Sequence, residues 1–177
     1  LTDLHGRTND PAIWAVGDCA MVHNLITGAP AWSPMGSTAN IAGRSAAVNL
    51  AGGESEYLGV LGTAVCKLPG LNAGRTGMSV AQAAAAGIDA ESVVCVLDDK
   101  AHYYPGSGEF IIKLVAARED QRLLGIQVLG KGAVDKMVDI AVTAITMKAR
   151  LADLANMDMA YAPPFSTAIH PFVQAVH

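Results

Sequence analysis

Aromatic side chains are scarce in this sequence, at 5% of residues, although hydrophobic residues reach 51%. The apolar mass is therefore mostly Ala, Val, Leu and Ile, which suits close packing of small side chains between helices and a sheet. Cysteine is limited to Cys19, Cys66 and Cys95, odd in number and far apart, so no disulfide framework or metal-ligand spacing is present. A reducing, cytoplasmic compartment is the expectation. No apolar run approaches the roughly 20 residues that a membrane-spanning helix needs. The opening residues, with Asp3, His5, Arg7 and Asp10, lack the apolar core of a secretion signal. The net charge of −4 has no clustered sign and the basic residues are scattered, so neither a nucleic-acid surface nor a membrane partner is expected. No G-x-G-x-x-G occurs, so these residues hold no glycine-rich dinucleotide loop.

The patterning that is present changes character near Gly53. Ala12-Ile13-Trp14-Ala15-Val16 is a short apolar run ending at Gly17-Asp18, and it reads as a buried strand of a parallel sheet whose neighbours lie on other chain. Ser33-Pro34 predicts a helix start, with Ser33 as cap and Pro34 at the first position. The alanine-rich segment from Met35 to Ala51 then runs to a stop at Gly52-Gly53. Beyond it, Gly62 to Leu68 and Leu71 to Met78 read as strands, Ser79 caps a short helix ending at Gly87, and Ser92 to Leu97 is a further strand. Glu109 to Ala117 and Leu123 to Leu129, joined by the polar Arg118–Arg122, predict an antiparallel hairpin. Apolar residues at 134, 137, 138, 141, 142 and 145 form a helical stripe. Another short helix is expected near Leu151, a proline-broken loop over Tyr161–Ser166, and a last helix from Pro171.

Three places carry chemistry. Gly17 and Asp18 put a carboxylate at the end of the first apolar run, where it either accepts hydroxyl hydrogen bonds from a ligand or serves as a local turn cap. The helix after Pro34 presents free N–H groups and a positive dipole end, either to an electron-rich ligand atom or simply to its packing neighbours. Tyr103 and Tyr161, in two aromatic-proline loops, offer phenols that can donate a hydrogen bond at a reaction centre, or that pack at an interface with the hydroxyl wet.

Taken together, these motifs match a known family. Arg7 through Ala20 closely resembles the second flavin-binding motif of pyridine nucleotide-disulfide oxidoreductases, and Pro34-Met35-Gly36 with Asn40-Ile41-Ala42-Gly43-Arg44 resembles the helix that follows it. Tyr57–Thr63, Ala73–Gly77, His102–Gly106, Gly132–Lys136 and Tyr161–Ser166 resemble the C-terminal dimerisation domain of the branch holding coenzyme A-disulfide reductase, NADH oxidase, NADH peroxidase and polysulfide reductases. The resemblance implies an α+β fold, an antiparallel sheet with helices over residues 54–177, preceded at 1–53 by the end of an α/β FAD-binding domain. It implies FAD and NAD(P)H as cofactors of the intact enzyme, with none held by these residues alone. Gly17, Asp18, Met35, Gly36 and Phe165 would contact flavin, Phe165 that of a partner subunit. Tyr103 and Tyr161 match two tyrosines that coenzyme A-disulfide reductases present to the partner's redox cysteine.

The implied protein is a homodimer that reduces a small-molecule disulfide, active only when whole. NADH oxidase, peroxidase or polysulfide reductase activity stays open, as does a stand-alone dimerisation scaffold, which would leave the first strand without a sheet. None of the three cysteines matches the family's redox-active position, and Cys19 is expected to be small and buried. His170-Pro171 resembles the active-site His-Pro of glutathione reductase-like enzymes. Their histidine is oriented by a glutamate a few residues on, and Phe172–His177 contains none, so His170 is read as a surface or helix-start residue.

Overall fold

The computed structural model describes residues 1–177, which divide into two compact units, Leu1–Gly62 and Thr63–His177. Residues 54–62, which follow the glycine pair, cluster with the first unit because their backbone is hydrogen-bonded there. Tyr57 N donates to Leu4 O at 2.7 Å, Val60 N to His23 O at 2.8 Å, and Leu25 N to Val60 O at 2.9 Å.

In the first unit the apolar run Ala12–Val16 is not a buried strand. Trp14 makes a single antiparallel bridge to Arg7, Ile13 is 53% exposed, and Trp14 to Val16 are only half-buried. A strand exists through hydrogen-bonded neighbours, and this unit supplies no ladder for the run. A small antiparallel ladder forms instead between β1 (Val22–His23) and β2 (Pro30–Ala31). Helix α1 spans Gly36–Leu50 and begins later than the Ser33-Pro34 signal predicts. Ser33 is unavailable as a cap: its hydroxyl lies 3.1 Å from Thr38 Oγ1, and its carbonyl accepts from Met35 N at 2.9 Å. The stop is as expected. Gly53 N bonds Val48 O and Gly52 N bonds Asn49 O, the paired bonds of a Schellman ending.

The second unit is an α+β fold around a five-stranded antiparallel sheet of order β3-β4-β7-β6-β5. Its strands are β3 (Ala64–Leu68), β4 (Leu71–Gly77), β5 (Ala90–Asp98), β6 (Glu109–Ala117) and β7 (Leu123–Gly130). Between β4 and β5, α2 (Val80–Ala85) opens on a full capping box from Ser79 to Gln82. The stripe on α3 (Val134–Thr146) is buried at Val134, Met137, Val138, Ala141, Ala144 and Ile145 and lies on β4 and β7. Gly74 permits that closeness, since a Cβ there would stand 2.7 Å from Val138 Cγ2. After the short α4 (Leu151–Leu154), α5 (Pro171–Val176) covers β5 and β6.

The opposite face of this sheet is bare. Cross-strand pairing places Cys66, Ala73, Leu129, Ile111 and Val96 in one row and Ala64, Arg75, Gln127, Lys113 and Val94 in the next. Val94, Val96, Ile111 and Leu129 are exposed there, and the face forms an open groove of about 630 Å³.

Candidate functional site

Gly17–Cys19 form one 3-10 turn that packs on α1. Gly17 takes φ +77°, a left-handed conformation that favours glycine. The Asp18 side chain is exposed and forms no ion pair or hydrogen bond within the chain, while its carbonyl accepts the indole N–H of Trp32 at 2.8 Å. At the start of α1 no side chain caps the helix, and the amides of Gly36, Ser37 and Thr38 have no acceptor. Nothing lies within 4 Å of the place where a Gly36 Cβ would sit, and the Met35 side chain is exposed. Gly17, Asp18, Met35 and Gly36 thus belong to one compact unit that offers a free carboxylate and free helix-end donors. Cys19, expected to be buried, is exposed, and its thiol reaches Val16 O at 3.4 Å. The 3-10 turn carries it at the unit's surface.

The aromatic residues lie in the second unit. Tyr103 sits on the loop joining β5 to β6 and is 68% exposed. The loop is closed at its base by buried Asp99: Asp99 N donates to Gly108 O at 2.8 Å, and Gly108 N donates to Asp99 Oδ1 at 2.9 Å. Ser107 Oγ donates to His102 O, and the His102 ring meets Tyr103 edge-on at 5.7 Å. Tyr161 (52% exposed) and Phe165 (73% exposed) share the loop between α4 and α5, where a turn is closed by Phe165 N donating to Ala162 O at 2.8 Å. No hydrogen bond joins the two tyrosines, and neither phenol has a partner within the chain.

Residues 63–172 match the pyridine nucleotide-disulphide oxidoreductase dimerisation domain. The chain belongs to the pyridine nucleotide-disulphide oxidoreductase family. It is 36% identical over 167 residues to an NAD(P)H sulfur oxidoreductase (CoA-dependent) of Pyrococcus furiosus, covering 94% of this chain and 38% of that protein. It is 37% identical over 165 residues to an NADH oxidase of Methanocaldococcus jannaschii, covering 93% of this chain and 37% of the relative. Among solved structures, an NAD-dependent persulfide reductase from A. fulgidus superposes with a TM-score of 0.96 at 36% identity, over 99% of this chain and 32% of that one. The chain therefore spans well under half the length of the relatives it matches.

Members of this oxidoreductase family use FAD and NAD(P)H. The residues here suit part of a flavin: an unpartnered carboxylate on a glycine turn for hydroxyl groups, and uncapped helix amides with open space for an electron-rich edge. Trp32 carries no signal in the sequence, since its bond to Asp18 O spans 14 residues and follows no local pattern. No helix is long and apolar enough to cross a membrane.

His170 begins α5 as expected but is not a surface residue, being 3% exposed. Its Nδ1 accepts from Phe172 N at 3.3 Å, so the neutral ring carries its proton on Nε2, which meets no acceptor. Burial, with the Lys136 cation adding to it, pushes the imidazolium pKa down to about 4. In the unfolded chain the ring titrates near 6.5. The stability that follows from keeping the ring neutral is present above pH 6.5, falls as pH drops toward 4, and is gone below that. The span is worth at most about 3 kcal/mol. His170→Asn keeps a cap acceptor and removes the titration. Urea unfolding of the parent should weaken by about 2 kcal/mol more than that of the variant between pH 7 and pH 4.5. Equal losses in both proteins would contradict this account of the ring.

Proposed function

We propose that these residues form the C-terminal part of an FAD-dependent, NAD(P)H-using reductase that acts on the sulfur–sulfur bond of a coenzyme A disulfide or persulfide. The observation that carries the reading is the Gly17-Asp18 turn packed on α1, whose first amides are free. Asp18 would accept hydrogen bonds from hydroxyls of the flavin's ribityl chain. The Gly36–Thr38 amides, beside Met35, would hold the flavin's electron-rich pyrimidine edge, and the helix end would favour negative charge there by about 0.3–2 kcal/mol. FAD supplies the relay of two electrons from the nicotinamide to sulfur. The glycine loops for the FAD pyrophosphate and for NAD(P)H belong to chain beyond these residues, which alone hold no complete flavin site and are inactive.

The second unit pairs with its twin through the bare sheet face, in a cytoplasmic homodimer that meets no nucleic acid or membrane. In that dimer Phe165 lies near the partner's flavin. Tyr103 and Tyr161 reach the partner's redox cysteine and hydrogen-bond the thiolate that leaves when the disulfide opens. Coenzyme A dependence in the 36%-identical Pyrococcus furiosus relative supports this acceptor. The 37%-identical NADH oxidase supports a second reading, with dioxygen as acceptor.

The test uses the full-length protein under nitrogen. NAD(P)H should be consumed with coenzyme A disulfide, releasing two thiols for each nucleotide oxidised. Consumption only after oxygen is admitted favours the oxidase reading, and a full-length protein that takes up no FAD overturns both.

A further inference from the structure

We propose that Trp32 is a positioning residue for the flavin, its indole N–H fixing the Asp18 turn against the segment that leads into α1. The inference rests on the flavin reading above. Trp32 follows β2 directly and is 65% exposed, so burial of the ring does not explain its placement. Its indole N–H instead reaches back to Asp18 O at 2.8 Å. The bonds inside the Gly17–Cys19 turn are local: Ala20 N to Gly17 O closes it, and the Cys19 thiol reaches only Val16 O. The indole is therefore the one hydrogen-bond donor that ties this turn to a distant part of the unit.

The other end of the same segment is fastened too. Ser33 is buried with its hydroxyl 3.1 Å from Thr38 Oγ1, and Met35 N donates to Ser33 O. Residues 32–38 thus form a short strap, anchored at one end on Asp18 and at the other inside the first turn of α1. The two groups assigned to the flavin, the Asp18 carboxylate and the Gly36–Thr38 amides, stand at its two ends. Since binding a rigid ligand rewards a preset spacing of its partners, loss of the indole bond loosens one anchor relative to the other without removing either, while the packing of the turn on α1 and the β1–β2 ladder remain. Trp32 acts through Asp18.

The experiment uses the full-length protein with benzothienylalanine at position 32, which places sulfur where the indole N–H stood and keeps the ring's shape. Trp32→Phe and 7-azatryptophan, which retains the N–H, are its companions. FAD affinity of the apoprotein, the flavin midpoint potential and the thermal midpoint of the apoprotein are read for each. The sulfur analogue and Trp32→Phe should bind FAD about 2- to 10-fold more weakly, because the turn must then be ordered as the flavin binds. Their midpoint potential should move, the apoprotein should stay folded and melt only a few degrees below the parent, and 7-azatryptophan should restore affinity and potential. Affinity within twofold of the parent for the sulfur analogue overturns the proposal, as does weakening in Trp32→Phe alone, which would assign the effect to ring shape. A parent that binds no FAD refutes the flavin reading itself, an outcome distinct from a flavin-binding parent that is indifferent to the indole N–H.

Discussion

In the full-length protein, replacing Tyr103 and Tyr161 together with phenylalanine should lower turnover of coenzyme A disulfide by roughly 30- to 1,000-fold, about 2–4 kcal/mol of transition-state stabilisation. When a thiolate leaves sulfur, charge develops on one atom, and a neutral phenol placed beside it favours the charged state more than the intact disulfide. The structure leaves both phenols without a partner in their own chain and holds them outward on loops closed at the base, by Asp99 with Gly108 and by Ala162 with Phe165. A preset donor that costs no rearrangement is the kind that lowers a barrier. The loss should fall on kcat and on kcat/KM alike, since the ground-state disulfide gains little from the phenols. Wild-type rates in the double variant would remove both residues from the mechanism. A loss confined to KM would place them in substrate binding instead.

Ile111→Asp combined with Leu129→Asp should turn a dimer at micromolar concentration into a folded monomer. The two residues face each other across β6 and β7 in the centre of the bare row Cys66–Ala73–Leu129–Ile111–Val96. Both are exposed in the single chain, so aspartate is solvated there and the fold tolerates it. In a two-fold interface each substitution appears twice, and four carboxylates would be buried in the apolar row, a cost that Arg75 and Lys113 of the neighbouring row offset only in part. An unpaired buried charge costs several kcal/mol after relaxation, which exceeds what a standard interface can lose and remain associated. Sedimentation of the parent and the variant decides the matter, with circular dichroism to show that both are folded. A variant that stays dimeric would move the interface off this face.

The second unit was largely legible in the sequence because its signals are local. Ser79, the polar turn at Arg118–Arg122 and the stripe on α3 each specify one element within a few residues, and the hairpin and helices form where those signals predict. The first unit was less so. Ala12–Val16 has the composition of a buried strand, but a strand is completed by its neighbours, and here Trp14 finds only Arg7. Ser33 has the chemistry of a cap, yet its hydroxyl is engaged with Thr38 and α1 starts beyond it. Burial of His170 was likewise invisible, since the Pro171 signal marks where a helix starts and says nothing of what covers it. Of the candidate site, residue types were readable and their partners were not. That Asp18 would be free while its carbonyl was held by Trp32 depends on a chain reversal through β1 and β2.

Each reaction centre should draw its flavin contacts from one subunit and its tyrosines from the other, and mixing subunits separates this from a centre built within one chain. A full-length Asp18→Ala variant that has lost FAD and the Tyr103→Phe, Tyr161→Phe variant that has lost turnover are unfolded together, refolded with excess FAD and assayed. In a mixed dimer one centre inherits both defects, while the other combines an intact flavin site with intact tyrosines. Random pairing makes half of the dimers mixed, so activity should recover to about a quarter of the wild-type value. A mixture no more active than its two parents would contradict the shared centre.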